Sequence, residues 1–319
     1  MKVMVSGLVN IETSVKIKEF PIIYYPIDYP FWGIKSAVSG VAYNVAKALK
    51  KLENEVELFS FIGDDPEGKR VCEALENEGI SSQFLSKTLM ETPGSVVLAD
   101  KDGKRQIYCD LKDIQEKTAD QRIIQGMLSN VDFVVACNIN FNRELLKQAK
   151  KLGIPVASDV HVISSIYDEF NKEFMEYADI LFLSDEQLPC KPEAFICDLK
   201  DQYACEIIVI GLGGKGAMLY EKADDKIFYL EAVNIGKVIN TVGAGDALFS
   251  AFLNFYGKGF QPLEALQLAE IFAAYKVGYN GASEGFCEEK IVMELYHKME
   301  KIKICQVHAD NTISKSKVD

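Results

Sequence analysis

The spacing of apolar residues changes period repeatedly along the chain, and each change marks an expected element. Residues 2–8, Lys2-Val3-Met4-Val5-Ser6-Gly7-Leu8, form a short apolar run of strand type. From Ser39-Gly40 the spacing becomes helical, with Val41, Val45, Ala48, Leu49 and Leu52 on one face, lysines on the other and Ser39 placed to cap the start. Glu55–Phe61 reads as a buried strand, and Gly63-Asp64-Asp65-Pro66 then opens a helix over about 66–78 with an acidic cap and a first-turn proline. Farther on comes an unbroken alternation: strand 131–137, helix 142–152, strand 154–158, helix about 168–177, strand 179–183, helix about 192–203, strand 206–210. Such a series folds as a parallel sheet with helices on both faces, because each right-handed crossover lays its helix across the sheet.

Two stretches depart from this alternation. Pro21, Pro26 and Pro30 exclude a helix between Phe20 and Gly33, where Tyr24, Tyr25, Ile27, Tyr29, Phe31 and Trp32 concentrate aromatic surface. Edge strands or an extended flap are expected there. Val96-Val97-Leu98 and Gln106-Ile107-Tyr108, joined by Asp100-Lys101-Asp102-Gly103, read as a hairpin. Residues 11–38 and 84–110 are therefore expected to form a small sheet apart from the main one, a lid whose uncovered face pairs with a second copy in a homodimer. The expected organisation is one α/β domain over 1–305 with these segments inserted, followed by a polar, flexible tail at 306–319.

Composition narrows the partners. With 319 residues, 48% of them hydrophobic, one large core is feasible. A net charge of −12 argues against nucleic acid or an anionic membrane as partner and leaves a small molecule. No apolar run is long enough to span a bilayer or serve as a signal peptide, so a cytoplasmic location is expected. The eight cysteines form no CxxC pair and read as buried free thiols, and the three scattered histidines offer little basis for a histidine metal site.

The chemistry concentrates in Thr241-Val242-Gly243-Ala244-Gly245-Asp246, directly before the apolar run Ala247–Leu253. Two glycines around one alanine let the backbone turn and present bare N–H groups at a helix start, which is an anion site. Asp246 falls in the first turn, where a carboxylate beside the cradle can take a proton from an alcohol while amides and a metal ion hold the charge of a transferring phosphoryl group. The competing reading is an ordinary loop in which Asp246 only caps the helix. Gly211-Leu212-Gly213-Gly214-Lys215-Gly216 fits G-x-G-x-x-G, but a hairpin pattern (Ala217–Tyr220, Ile227–Leu230) follows where a dinucleotide fold needs a helix. Such a loop can still lie flat against a nucleotide, with Lys215 neutralising phosphates. Asn138, Asp159, Ser184-Asp185 and Gly211 stand just past strands, at the end where parallel sheets bind ligands.

Gly7 to Glu12, Ser39-Gly40 with Asn44, Gly63-Asp64-Asp65 with Gly68, the Gly211–Ala217 glycine loop and Thr241–Asp246 follow in this order, and from Gly7 to about Ala282 the chain resembles the ribokinase-like (PfkB) carbohydrate kinases. The resemblance implies a three-layer α/β/α sandwich with a mainly parallel central sheet and a small β-sheet lid. It further implies Asp246 as catalytic base, the amides of Gly243, Ala244 and Gly245 as anion hole, and Gly211, Gly213, Gly214, Lys215, Gly216 and Thr241 at the ATP site. Glu12, Ser39, Gly40 and Asn44 would face the acceptor, with Asn138 helping to shape its pocket. Four positions depart from the family pattern. Glu12 replaces an Asp, and Ser39-Gly40 replaces a Gly pair. Ser184 and Gln187 stand in the Asn-x-x-Glu motif associated with Mg²⁺, which leaves Asp185 and Glu186 as the nearby carboxylates and predicts that Mg²⁺ arrives with ATP. Asn240 stands where an Asp is common beside a monovalent-cation site, leaving potassium activation open. The implied activity is ATP-dependent phosphorylation of a hydroxymethyl group on a sugar or sugar-like molecule. The alternatives are a pseudouridine-like nucleoside kinase and a kinase-fold ligand-binding protein without turnover.

Overall fold

The computed structural model describes residues 1–101, 103–299, 302–307 and 313–314. Among the described residues its main sheet has eleven strands in two series. Seven run parallel: β1 (Lys2–Ser6), β4 (Glu55–Gly63), β5 (Ser81–Leu89), β8 (Phe133–Ala136), β9 (Val156–Asp159), β10 (Ile180–Ser184) and β11 (Ile207–Gly211). Four antiparallel strands extend one edge: β12 (Gly216–Glu221), β13 (Lys226–Glu231), β14 (Ile304–Val307) and β15 (Ile313–Ser314). From one edge the order is β5-β4-β1-β8-β9-β10-β11, then β12 to β15. The chain moves from β1 to β4 on one side and later returns to β8 on the other. The crevice between β1 and β8 is therefore the switch point, where open parallel sheets bind ligands.

Side-chain alternation builds the layers. Val3 and Val5 of β1 face one core and Met4 the other, and Leu58 and Phe59 of β4 divide in the same way. One face is covered by α1 (Val41–Lys51), α2 (Pro66–Asn77), α7 (Ala244–Gly257), α8 (Pro262–Lys276) and α9 (Glu289–Lys298). The other carries α3 (Gln121–Met127), α4 (Arg143–Lys151), α5 (Lys172–Tyr177) and α6 (Pro192–Gln202). Helix α7 is apolar almost all round because α8 packs on it from outside and the sheet from within. Phe249 and Phe252 close on Phe182 of β10 at centroid distances of 4.9 and 5.3 Å. Each such buried ring contributes about 2–3 kcal/mol, which anchors the start of α7 firmly against the sheet.

The second sheet is small, in the order β3-β2-β6-β7, formed by β2 (Asn10–Lys16), β3 (Ile34–Ser39), β6 (Gly94–Ala99) and β7 (Arg105–Asp110). The predicted hairpin is present, with Val96 opposite Tyr108. Asp65 ties the base of this sheet to α2, capping the helix through the amide of Gly68 and accepting from the amide and hydroxyl of Thr92, all at 2.7 Å.

Several expectations need correction. The second segment of the small sheet begins at Gly94, not at 84, because β5 pairs with β4 in the main sheet and finds its partner there. Of the two conformations expected for 20–33, the extended flap is the one present, without strand pairing. The main sheet does not end at 305: Gln306 and Val307 pair with β13, and the rest of the expected tail lies outside the described residues except for β15. Lys47 lies on the buried side of α1, compensated by Glu78 at 3.0 Å and Glu284 at 3.3 Å. All eight cysteines are free; Cys137, Cys205 and Cys287 are buried, but Cys109 and Cys190 are exposed.

Candidate active site

The loop before α7 takes its shape from Gly243. Its φ is 78°, and a Cβ there would lie 2.2 Å from the carbonyl oxygen of Ala282, so only glycine lets the two loops meet. With that contact made, α7 starts at Ala244 and Asp246 falls in its first turn, half-buried. The Ala244 amide folds back on the Thr241 carbonyl at 3.2 Å. Helix geometry leaves the amides of Gly245 and Asp246 without intrahelical acceptors, and a Cβ at Gly245 would meet nothing within 4 Å. The loop therefore presents donors to open space.

Three residues predicted from distant parts of the chain form a chain of contacts to Asp246. Asn44, one turn into α1, donates from Nδ2 to Asp246 Oδ2 at 2.7 Å. Ser39 Oγ lies 3.4 Å from Asn44 Oδ1 and 3.3 Å from Glu12 Oε2. Ser39 is thus the last residue of β3 and not the cap of α1; Gly40, with φ 102°, is the cap position, and a Cβ there would lie 2.5 Å from the Leu8 carbonyl. Burial pushes the Asp246 carboxyl above the usual aspartate value, opposed by the hydrogen bond from Asn44. Burial also raises Glu12, opposed by Ser39.

The remaining predicted residues separate. Asn138 turns its amide to Asn171 at 3.0 Å and does not join this chain of contacts. Gly213, Gly214 and Lys215 form an exposed turn between β11 and β12, and a Cβ at either glycine would meet nothing within 4 Å. This turn is open to solvent. Gly216 is the buried first residue of β12, where a Cβ would lie 2.0 Å from the Leu230 carbonyl oxygen, and the carbonyl of Gly211 accepts from the Asp185 amide at 3.0 Å. That bond sets Asp185 and Glu186 at the carboxyl end of β10 beside the glycine loop. Among the described residues no group of three or more His, Cys, Asp or Glu side chains is placed to hold a metal ion. The acidic pair can add oxygens to an ion that brings most of its own ligands, as Mg²⁺ with phosphates does.

Two residues were missed. Arg105 of β7 donates to Thr241 Oγ1 at 2.9 Å, joining the small sheet to the anion loop. Lys276, the last residue of α8, donates from Nζ to the Val242 carbonyl. A basic residue in a hairpin or at a helix C-terminus is commonplace, so neither position carries a signal before the fold is known.

The profile of the pfkB family carbohydrate kinase matches residues 2–290. The chain belongs to the pfkB family of carbohydrate kinases. This kinase is 22% identical over 267 residues to a nucleoside kinase of Methanocaldococcus jannaschii, covering 81% of this chain and 84% of that protein. A microbiome-derived acarbose kinase superposes with a TM-score of 0.85 at 22% identity, covering 93% of this chain and 99% of that one. Arabidopsis thaliana ribokinase, solved with ribose and ATP, gives a TM-score of 0.77 at 21% identity over 94% and 99% of the two chains. Among the described residues no helix is long and apolar enough to cross a membrane.

Proposed function

We propose that this kinase transfers the γ-phosphoryl group of ATP to a hydroxymethyl group of a sugar or nucleoside, with Asp246 as the base. The observation that carries this reading is the contact chain from Glu12 through Ser39 and Asn44 to Asp246, which ends at the mouth of the anion loop. Bound ATP supplies the transferable phosphoryl group and its Mg²⁺. Asn44 holds one oxygen of Asp246 and fixes the carboxylate plane, presenting the other oxygen to the acceptor hydroxyl. Glu12 accepts from a second hydroxyl and sets the acceptor's orientation. The amides at the start of α7 face the oxygens on which charge develops. Gly213, Gly214 and Lys215 would form the floor beneath the nucleotide, and Asp185 and Glu186 would add oxygens to the Mg²⁺ that the nucleotide brings. Calorimetric titration of nucleotide-free protein with Mg²⁺ is expected to show no micromolar site, since such an ion keeps much of its water.

A nucleoside acceptor is the second reading, supported by the M. jannaschii relative. A panel of pentoses, hexoses and nucleosides with ATP and Mg²⁺ distinguishes the two. Product formation by the parent and its loss in Asp246→Asn, by about 10²–10⁴ in kcat, support the proposal. Binding of an acceptor without turnover would instead identify a ligand-binding protein.

A further inference from the structure

Lys276 has none of its surface exposed to solvent. An ammonium in such a place is tolerated only where oxygens replace its water. Here Nζ donates to the carbonyl of Val242, the residue directly before Gly243. The other end of Val242 is also held, its amide donating to Asn240 Oδ1 at 2.8 Å. The stretch entering the anion loop is thus gripped on both sides: a neutral amide takes its N–H and a cation takes its C=O. The charged groups facing Lys276 come from four places: Asp246 on α7, Glu12 on β2, Glu284 in the loop after α8, and Arg105 on β7, which opposes the rest.

The resemblance to ribokinase-like enzymes raises the question of a monovalent cation beside position 240. The residues present do not fit one. Asn240 brings no negative charge, and its side-chain oxygen is already used on the Val242 amide. The Val242 carbonyl points at an ammonium, which would repel a second cation.

We propose that Lys276 is a positioning residue that supplies, as a tethered ammonium, the positive charge beneath the anion loop, so that turnover needs no monovalent metal ion. Its pull on the Val242 carbonyl orients the peptide from which the following amides project toward the phosphoryl group. Its charge also offsets Asp246 and Glu12 when phosphate oxygens approach them. Burial lowers Lys276 to about 8, against the raising influence of Asp246 and Glu12. The ammonium form therefore prevails at neutral pH.

The inference rests on the kinase reading, and the test separates the two. The parent is assayed with potassium and with tetramethylammonium as the only monovalent cation, and equal kcat is expected. Activation of the parent by potassium overturns the proposal. Lys276→Met keeps the bulk without the charge and is expected to lose about 10²-fold in kcat, irrespective of the salt. Lys276→Ala leaves space and is expected to lose as much in tetramethylammonium and to recover with potassium or ammonium. Full activity of either variant in tetramethylammonium overturns the proposal, as does a folded Lys276→Ala that no cation rescues. Thermal melting without nucleotide or acceptor gives a readout independent of turnover. Potassium raises the Tm of Lys276→Ala and not that of the parent if the proposal holds. Equal response of the two overturns it, even if no acceptor in the panel is phosphorylated.

Discussion

At the scale of single residues, Asp246 carries opposing demands. Burial favours its protonated form, so its pKa lies above the ordinary aspartate value. In the proposed role of base Asp246 must be anionic, and kcat/KM is therefore expected to fall as pH drops through this raised pKa, at higher pH than for an exposed carboxylate. For stability the sign is reversed. A carboxyl with a raised folded-state pKa contributes stability that is present below the unfolded value and lost as pH rises through the folded one. Above that raised pKa the ionised Asp246 is destabilising, and there Asp246→Asn is expected to melt at a higher temperature than the parent while failing to turn over. A Tm equal to or below the parent's in that range, with the difference unchanged in acid, would refute this. Asp246 was legible in sequence because its glycine context is local, four consecutive positions and the helix they begin. Lys276 was not legible, since its partner Val242 lies 34 residues away and only the packing of α7 on α8 brings them together.

At the scale of elements, the site depends on how loops dock. Gly243 seats the start of α7 against the loop carrying Ala282, with no room for a methyl group. Gly243→Ala combines a left-handed backbone with a collision and is expected to cost about 2 kcal/mol or more. It should also impair ATP binding, since the amides that follow are displaced. Denaturant unfolding with nucleotide titration checks both, and a variant with parental stability and affinity would show that the loop contact is dispensable. The alternating strands and helices from 131 to 210 were readable because each element has its own apolar period. The placement of β5 was not. Residues 81–89 alternate weakly, and their membership in the main sheet follows from pairing with β4, a contact that local pattern does not encode.

At the scale of the whole molecule, the small sheet and its flap leave an apolar surface uncovered in the single chain. Tyr24, Phe31 and Trp32 are 85%, 84% and 94% exposed, and Ile27 and Tyr29 lie beside them. Exposed aromatic surface of this extent is costly in water, and apolar patches of this kind are often interaction sites. We propose that it closes over the acceptor and pairs with a second copy. Arg105, reaching from the small sheet to Thr241, provides a link from that movement to the anion loop. A Phe31→Asp, Trp32→Asp double variant is expected to be monomeric in light scattering. It should also raise the acceptor KM and the rate of ATP hydrolysis, because water is no longer excluded. A monomeric parent defeats the pairing, and unchanged KM and hydrolysis defeat the closure.

The sequence by itself determined the class of fold, and it marked the glycine-bounded start of α7 with Asp246 in its first turn, because periodicity and glycine-bounded helix starts are properties of neighbouring residues. It also marked Glu12, Ser39 and Asn44 individually. Only the tertiary structure decided that these side chains form one contact chain ending at Asp246, that Asn138 turns away to Asn171, and that Lys276 lies beneath the loop. The physical reason is that hydrogen bonds and buried charges act over a few ångströms in space, whatever the separation along the chain. Which residues come that close is set by the packing of β1, β2, α1, α7 and α8 around the switch point, and no single segment contains that information.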